Sequence, residues 1–220
     1  MEKGYIFLWL LAGIAVVSLP IVGVYFRLLN TLMHEIGHAT MSMFMGGGVR
    51  KIELSSDTSG LATTTSKNWF SQVMITGAGY PFASMMAALS AYIFSTFGVN
   101  MFYLLIVSVT ALSLLIWVRN VFGFLWVSTF FVITGFAYLN SETNWSYFYA
   151  MLVLVILLIE SVRSSIVILR LSFKQKNEAG DARDLALLTK VPTLVWGILF
   201  FIQSLLFFVQ GTLFLWKAGF

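Results

Sequence analysis

The chain has 220 residues, of which 59% are hydrophobic and only 10% are charged. A soluble globular domain carries about 25% charged residues, so this composition excludes a protein whose main solvent is water. The net charge of +4 is small, and the basic residues lie between apolar segments rather than in one stripe. That distribution predicts no nucleic acid partner. The absence of cysteine excludes disulfides and thiolate metal sites.

Apolar runs long enough to cross a bilayer, about 20 residues each, follow one another along most of the chain. They lie at 5–26, 70–97, 101–118, 121–139, 145–169 and 192–216, and a shorter segment at 28–45 carries polar side chains. Counting this segment as a crossing predicts an all-α polytopic membrane protein with about seven transmembrane helices. The first run lacks a small-residue cleavage site, which favours a retained helix over a secretion signal. We expect residues 1–220 to form a single domain embedded in the lipid bilayer.

The basic residues predict which side of the membrane each loop faces. With seven crossings, eleven Lys and Arg residues fall on one side, and only Arg27 and Lys217 fall on the other. Because cytoplasmic loops are enriched in Lys and Arg, the N-terminus and the loops 46–69 and 171–190 are predicted to be cytoplasmic. The count requires segment 28–45 to cross, since the later loops would otherwise change sides.

Two short β-prone stretches follow the polar segment. Residues 49–54 and 61–65 flank a turn of Ser, Asp and Gly between Ser55 and Gly60, a pattern that predicts a β-hairpin. An isolated hairpin is only marginally stable in water. We therefore expect this one to rest on neighbouring helices or on the membrane surface.

The sequence His34-Glu35-Ile36-Gly37-His38 is an H-E-x-x-H motif. Residues four apart lie on one face of a helix, so the two imidazoles can bind the same Zn²⁺ ion. Glu35 can then accept a proton from water as that water attacks a carbonyl group. His34 and His38 are the only two histidines in the chain, and an ionisable side chain in an apolar helix costs about 2.5–3.5 kcal/mol. The pattern therefore favours a zinc site over a structural His–Glu pair.

A catalytic zinc site generally has three protein ligands, and without cysteine or a third histidine the remaining ligand must be a carboxylate. The candidates are Glu142, Glu160, Asp181 and Asp184. Glu142 falls in a predicted external loop. Glu160 lies inside a predicted span, where an acid is a functional candidate, although it can also pair with Arg163 three residues later. Asp181 begins a helical stretch, where it can equally serve as an N-cap.

These motifs resemble the site-2 protease family of intramembrane metalloproteases, especially its small bacterial-type branch without a PDZ domain. The resemblance rests on residues 34–39, Gly46-Gly47 with 49–54, the turns 77–80 and 118–123, and residues 181–185 continuing to 196. Better-studied members of the wider family place the third ligand in an Asn-Pro…Asp-Gly motif. This chain contains no Asp-Gly, so only His34, Glu35 and His38 match residue by residue.

The resemblance implies peptide hydrolysis in or near the bilayer of a bacterial-type plasma membrane, with Zn²⁺ as cofactor and a transmembrane protein as substrate. It also implies a site open to the cytoplasm, which favours Asp181 over Glu142 as the third metal ligand. Glu160 stays as the alternative ligand. A different function is an inactive membrane scaffold of the same fold that binds membrane helices, but such a scaffold does not need the base Glu35.

Overall fold

A computed structural model describes residues 5–219, and helices make up most of them. Within that part of the chain the α-helices are α1 Tyr5–Ser18, α2 Val22–Phe44, α3 Trp69–Thr76, α4 Gly79–Phe97, α5 Val99–Ile116, α6 Val121–Leu139, α7 Asn144–Lys174, α8 Gly180–Thr189 and α9 Thr193–Lys217. A short 3₁₀ turn, Lys176–Glu178, joins α7 to α8. Two strands, β1 Val49–Leu54 and β2 Gly60–Thr64, lie between α2 and α3. The predicted class, all-α and polytopic with a small β-hairpin, is confirmed.

The number of membrane crossings is lower than the sequence predicted. Helices α5, α6, α7 and α9 are each long and apolar enough to cross a membrane. The bent pairs α1–α2 and α3–α4 are long and apolar enough only when the two helices of each pair are taken together. The described residues therefore offer up to six candidate crossings. Helix α1 has 14 residues, or about 21 Å at 1.5 Å per residue, which is short of the roughly 30 Å hydrocarbon core. It meets α2 at a bend of 102°. The segments 5–26 and 28–45 therefore form one bent pair that counts as a single candidate crossing.

Aromatic contacts show at which end of the bundle α1 begins. The ring of Phe7 lies 5.9 Å from that of Trp216, near the end of α9. The ring of Trp9 lies 4.7 Å from that of Phe148, near the start of α7. The start of α1, the start of α7 and the end of α9 thus share one end of the bundle.

The hairpin lies at the opposite end. The backbone N–H of Ile52 in β1 donates to the carbonyl of Trp117 at 2.7 Å, in the turn between α5 and α6. Helix α6 then runs back to the loop that precedes α7. The start of α1 and the hairpin therefore lie at opposite ends of the bundle, whereas the sequence predicted that the N-terminus and loop 46–69 face the same side of the membrane. Lys3, which entered that prediction, lies outside the described residues.

Contacts to neighbouring elements hold the hairpin in place, as expected for a two-stranded sheet. The strands pair antiparallel from Val49 opposite Thr64 to Leu54 opposite Gly60. On the outer edge of β1, the Asn120 side-chain amide donates to the Leu54 carbonyl at 2.7 Å and its oxygen accepts from the Leu54 N–H at 3.1 Å. Strand β2 packs against α2. The hairpin is thereby fixed over the helix that carries the H-E-x-x-H motif.

Candidate metal centre

The two histidines converge as the spacing of the motif predicts. Helix α2 is a 23-residue helix, and its i and i+4 side chains lie one above the other on the same face. The Nε2 atoms of His34 and His38 are 3.0 Å apart. His38 is 8% exposed and Glu35 5% exposed, so the motif lies inside the protein.

Asp181 is the acid that the fold brings to these histidines. Its Oδ2 lies 3.1 Å from Nε2 of His34 and 3.3 Å from Nε2 of His38. Among the described residues, these three form the one group whose ligand atoms all lie within 4.8 Å of one another. Asp181 follows Gly180, whose φ of +46° suits glycine. Helix α8 is anchored by Ala182 and Leu185, which are buried in a cluster with residues of α7 and α9.

The other acidic candidates lie elsewhere. Glu160 is buried in α7, but its Oε1 pairs with Nη1 of Arg163 at 3.1 Å, which is the structural alternative that the spacing suggested. Asp184 lies at the rim of the cavity beside Asp181, and its carboxylate is 3.9 Å from Nη1 of Arg183. Glu142 lies in the loop before α7, at the bundle end far from the hairpin. None of these three joins the His34–His38–Asp181 group in the described part of the chain.

Hydrogen bonding sets the tautomer of His38. Its Nδ1 lies 2.7 Å from the carbonyl oxygen of Ile75 in the last turn of α3, which also accepts from the backbone N–H of Ala78 at 3.1 Å. Nδ1 therefore carries the proton and donates it. In the neutral form of this ring, which metal binding requires, Nε2 directs a lone pair towards His34 and Asp181.

The donor set fits a zinc ion. Oδ2 of Asp181 is buried and has no hydrogen-bond partner among the described residues, although two imidazole nitrogens face it. Burial by itself would raise the pKa of Asp181, but the neighbouring His38 and His34 more than offset this and hold its pKa below the usual value. The carboxylate is therefore ionised at neutral pH. Two imidazole nitrogens and one carboxylate oxygen are a combination that zinc sites use.

The comparison with protein families agrees with this donor set. Residues 7–211 match the family described as Peptidase M50B-like. The chain belongs to this family. Its members are zinc metalloproteases, so the family recognised from the motifs is confirmed. Neither a curated protein nor a solved structure matches the chain.

The family and the apolar helices together make this M50B-like chain an integral membrane protein.

In its metal centre, two glycines without a predicted role pack directly on the motif. A Cβ on Gly79 would lie 2.6 Å from Nε2 of both His34 and His38. A Cβ on Gly60, at the start of β2, would lie 2.6 Å from Oε1 of Glu35. A larger residue at either position would displace side chains of the motif. Gly79 belongs to the turn 77–80 noted in the sequence, but nothing in the sequence pairs it with the histidines.

Tyr80 is a further residue that the sequence did not identify as part of the site. Its ring stands edge-on to His34 with centroids 4.5 Å apart, and it packs on Phe200 of α9 at 4.8 Å. The hydroxyl has no hydrogen-bond partner among the described residues. Tyr80 also lines the cavity beside the metal centre, so a donor is available there.

This cavity has a volume of about 580 Å³, within the usual range for ligand sites. It lies between α2, β2, the break between α3 and α4, α7 and α8. The hairpin turn closes one side, where Oγ1 of Thr31 donates to the carbonyl of Thr58 at 2.9 Å. The carboxylate of Glu35 lies beneath this turn, and the backbone of Ala62 in β2 offers it a hydrogen bond.

Proposed function

We propose that this chain is an intramembrane zinc metalloprotease that hydrolyses peptide bonds of transmembrane protein substrates. In this proposal His34, His38 and Asp181 hold Zn²⁺, and Glu35 is the general base. The observation that carries it is the convergence of two imidazole nitrogens and a carboxylate oxygen beside a buried glutamate in a cavity. Family membership supports the same chemistry.

Glu35 is placed to move the proton in this reaction. A bound zinc ion acts as a Lewis acid that polarises a peptide carbonyl and activates water. The carboxylate of Glu35 lines the cavity next to His34 and is confined by Gly60 and the hydrogen bond from Ala62. It takes the proton of the attacking water and later delivers it to the departing amide nitrogen. The Tyr80 hydroxyl is free to donate to the carbonyl oxygen of the substrate.

The depth of the cavity favours a membrane-embedded substrate. Ser164 and Ile168 of α7 line it, ten and six residues before the helix ends at Lys174. At 1.5 Å per residue these positions are about 15 and 9 Å from the end of the helix. This depth supports a substrate whose scissile bond enters from a segment embedded in the bilayer.

The charge distribution supports an orientation with the hairpin end in the cytoplasm. Nine basic residues lie at that end: Arg50, Lys51, Lys67, Arg119, Arg170, Lys174, Lys176, Arg183 and Lys190. In the described chain, Lys217 is the basic residue at the other end, while Arg27 and Arg163 lie along the helices. By the positive-inside rule the hairpin end is cytoplasmic. Six crossings then place both described termini outside.

Single-cysteine labelling in the natural cysteine-free background tests this orientation. A membrane-impermeant reagent should label Tyr5→Cys and Thr143→Cys from outside intact cells, and Ser56→Cys only after the cells are opened. All three positions are exposed in the structure. Labelling of Tyr5→Cys only in opened cells would restore the cytoplasmic N-terminus that the sequence predicted and would reject the six-crossing orientation.

Cleavage of membrane substrates by the purified protein tests the proposed function. Glu35→Gln should retain about one zinc per chain, because it removes no ligand. It should lose activity by about 10²–10⁴-fold, the usual contribution of a general base. Metal analysis and a cleavage assay on candidate membrane proteins measure both effects. Undiminished cleavage by Glu35→Gln would remove this residue from the mechanism. A zinc-loaded wild type that cleaves no substrate would favour the inactive scaffold.

A further inference from the structure

A second cavity lies at the end of the bundle that carries the hairpin. It has a volume of about 710 Å³ and is formed by the end of α7, the helix α8 and the beginning of α9. We name it the α7–α9 cleft. Three basic side chains line it, Lys176, Arg183 and Lys190, and no acidic residue of the described chain does so. Its charge is therefore positive.

Two of these three positive charges have no ion-pair partner in the described part of the chain. Arg183 lies 3.9 Å from Asp184, and both side chains are about half exposed. Neither Lys176 nor Lys190 forms an ion pair with any residue from 5 to 219. Like charges that line one cleft repel each other, and a bound anion offsets that repulsion.

Backbone donors at the start of α9 also favour an anion. Ser172 lines the cleft, and its buried Oγ packs against Gly197 of α9 without a hydrogen-bond partner among the described residues. Helix α9 begins at Thr193 without a side-chain cap, and Thr193 and Leu194 both line the cleft. The first N–H groups of a helix have no partner within it, and together with the helix dipole they attract anions.

The apolar rim of the cleft distinguishes a lipid from a soluble anion. Phe173 is 70% exposed and Leu187 59% exposed, and both line the cleft. Nearby, the indole N–H of Trp69 donates to the carbonyl of Leu188 at 2.8 Å, as is typical of tryptophan at a membrane interface. The cleft therefore offers basic side chains to a charged headgroup and an adjacent apolar surface to acyl chains.

We propose that the α7–α9 cleft binds the phosphate headgroup of an anionic phospholipid, with its acyl chains along Phe173 and Leu187. Basic pockets between transmembrane helices on the cytoplasmic side bind such headgroups. The site is separate from the metal centre, which lies on α2, α4 and the first turn of α8. It requires the cytoplasmic orientation of the hairpin end but not the protease activity.

Native mass spectrometry of the full-length protein with phosphatidylglycerol or phosphatidylcholine of the same acyl chains tests this site. The wild type should retain one phosphatidylglycerol in preference to phosphatidylcholine. The triple variant Lys176→Gln/Arg183→Gln/Lys190→Gln should bind it roughly a hundredfold more weakly, because each basic residue contributes to headgroup attraction.

A matched control removes three basic residues at the same end but on the hairpin and the loop after it, outside the cleft: Arg50→Gln/Lys51→Gln/Lys67→Gln. This control should stay within about threefold of the wild type, because distant surface charges are screened by salt. Equal loss in both triple variants would show general surface attraction and overturn the site. Displacement of the lipid by millimolar inorganic phosphate would identify a soluble phosphate site instead. The single variants Lys176→Gln and Lys190→Gln, with unchanged thermal melting, separate lost binding from lost folding.

Discussion

Two groups of ionisable side chains lie within the helix bundle, and they are built in opposite ways. In the metal centre, three ligand atoms converge within 4.8 Å, and buried Oδ2 of Asp181 has no hydrogen-bond partner in the described chain. In the second group, the buried carboxylate of Glu160 accepts from Arg163 at 3.1 and 3.3 Å, and Arg27 lies close enough to add positive charge. We name this second group the Glu160 cluster.

The difference shows that a buried charge alone does not identify a metal site. The Glu160 cluster is satisfied by its own members, because the guanidinium of Arg163 offers the protons that the carboxylate accepts. In the metal centre, His38 donates its Nδ1 proton to the carbonyl of Ile75, and its Nε2, the Nε2 of His34 and the Asp181 carboxylate face one another. Only the metal centre therefore requires a cation from outside the chain.

The largest expected difference between the two groups is the effect of replacing their buried acids on zinc binding. Asp181→Ala removes one of three proposed ligands and should abolish stoichiometric zinc binding, as should His34→Ala or His38→Ala. Glu160→Gln, the matched control, should keep about one zinc per chain, since its carboxylate does not face the histidines. Metal analysis after removal of free zinc measures both variants. Loss of zinc in Glu160→Gln with retention in Asp181→Ala would identify Glu160 as the third ligand.

A smaller effect on zinc affinity is expected from a substitution of Gly79, which packs against the two histidines. The added Cβ of Gly79→Ala would stand 2.4 Å from Cε1 of His34, so the rings must move. We expect zinc affinity to fall by about 10–100-fold, the usual cost of disturbing the support of a ligand. Gly135→Ala in α6 is the control, because its Cβ would meet no atom within 4 Å. Equal affinity in the two variants, measured by competition with a chelator, would mean that the histidines are not held in place by Gly79.

The smallest expected effect concerns Tyr80. Tyr80→Phe retains the ring contact with His34 and removes only the hydroxyl, so zinc content should stay unchanged. If the hydroxyl donates to the substrate carbonyl, kcat should fall by about tenfold, the contribution of one ordinary hydrogen bond, with little change in KM. Tyr92→Phe, on the same helix but away from the cavity, should cleave like the wild type. Wild-type kcat in Tyr80→Phe would exclude the hydroxyl from the reaction.

Several features follow from the sequence because they depend on neighbours in the chain. Apolar runs predict the helices, and the i, i+4 spacing of His34 and His38 predicts that their rings share a helix face. The Ser-Asp-Gly turn after β1 predicts the hairpin. Each of these patterns spans only a few residues or one helix, so local composition and helical geometry determine it.

Only the tertiary structure decides which carboxylate joins the histidines and where the first helix begins. Asp181 and Glu160 are both acids far from His38 in sequence, and the packing of α8 against α3 and α9 is what brings Asp181 to within 3.3 Å of the ring. The hydropathy of residues 5–26 is continuous across Pro20, so a window sum cannot detect the bend of 102° between α1 and α2. Hydropathy measures how apolar a segment is and carries no information about its direction. The direction of α1 is determined by its contacts with α7 and α9.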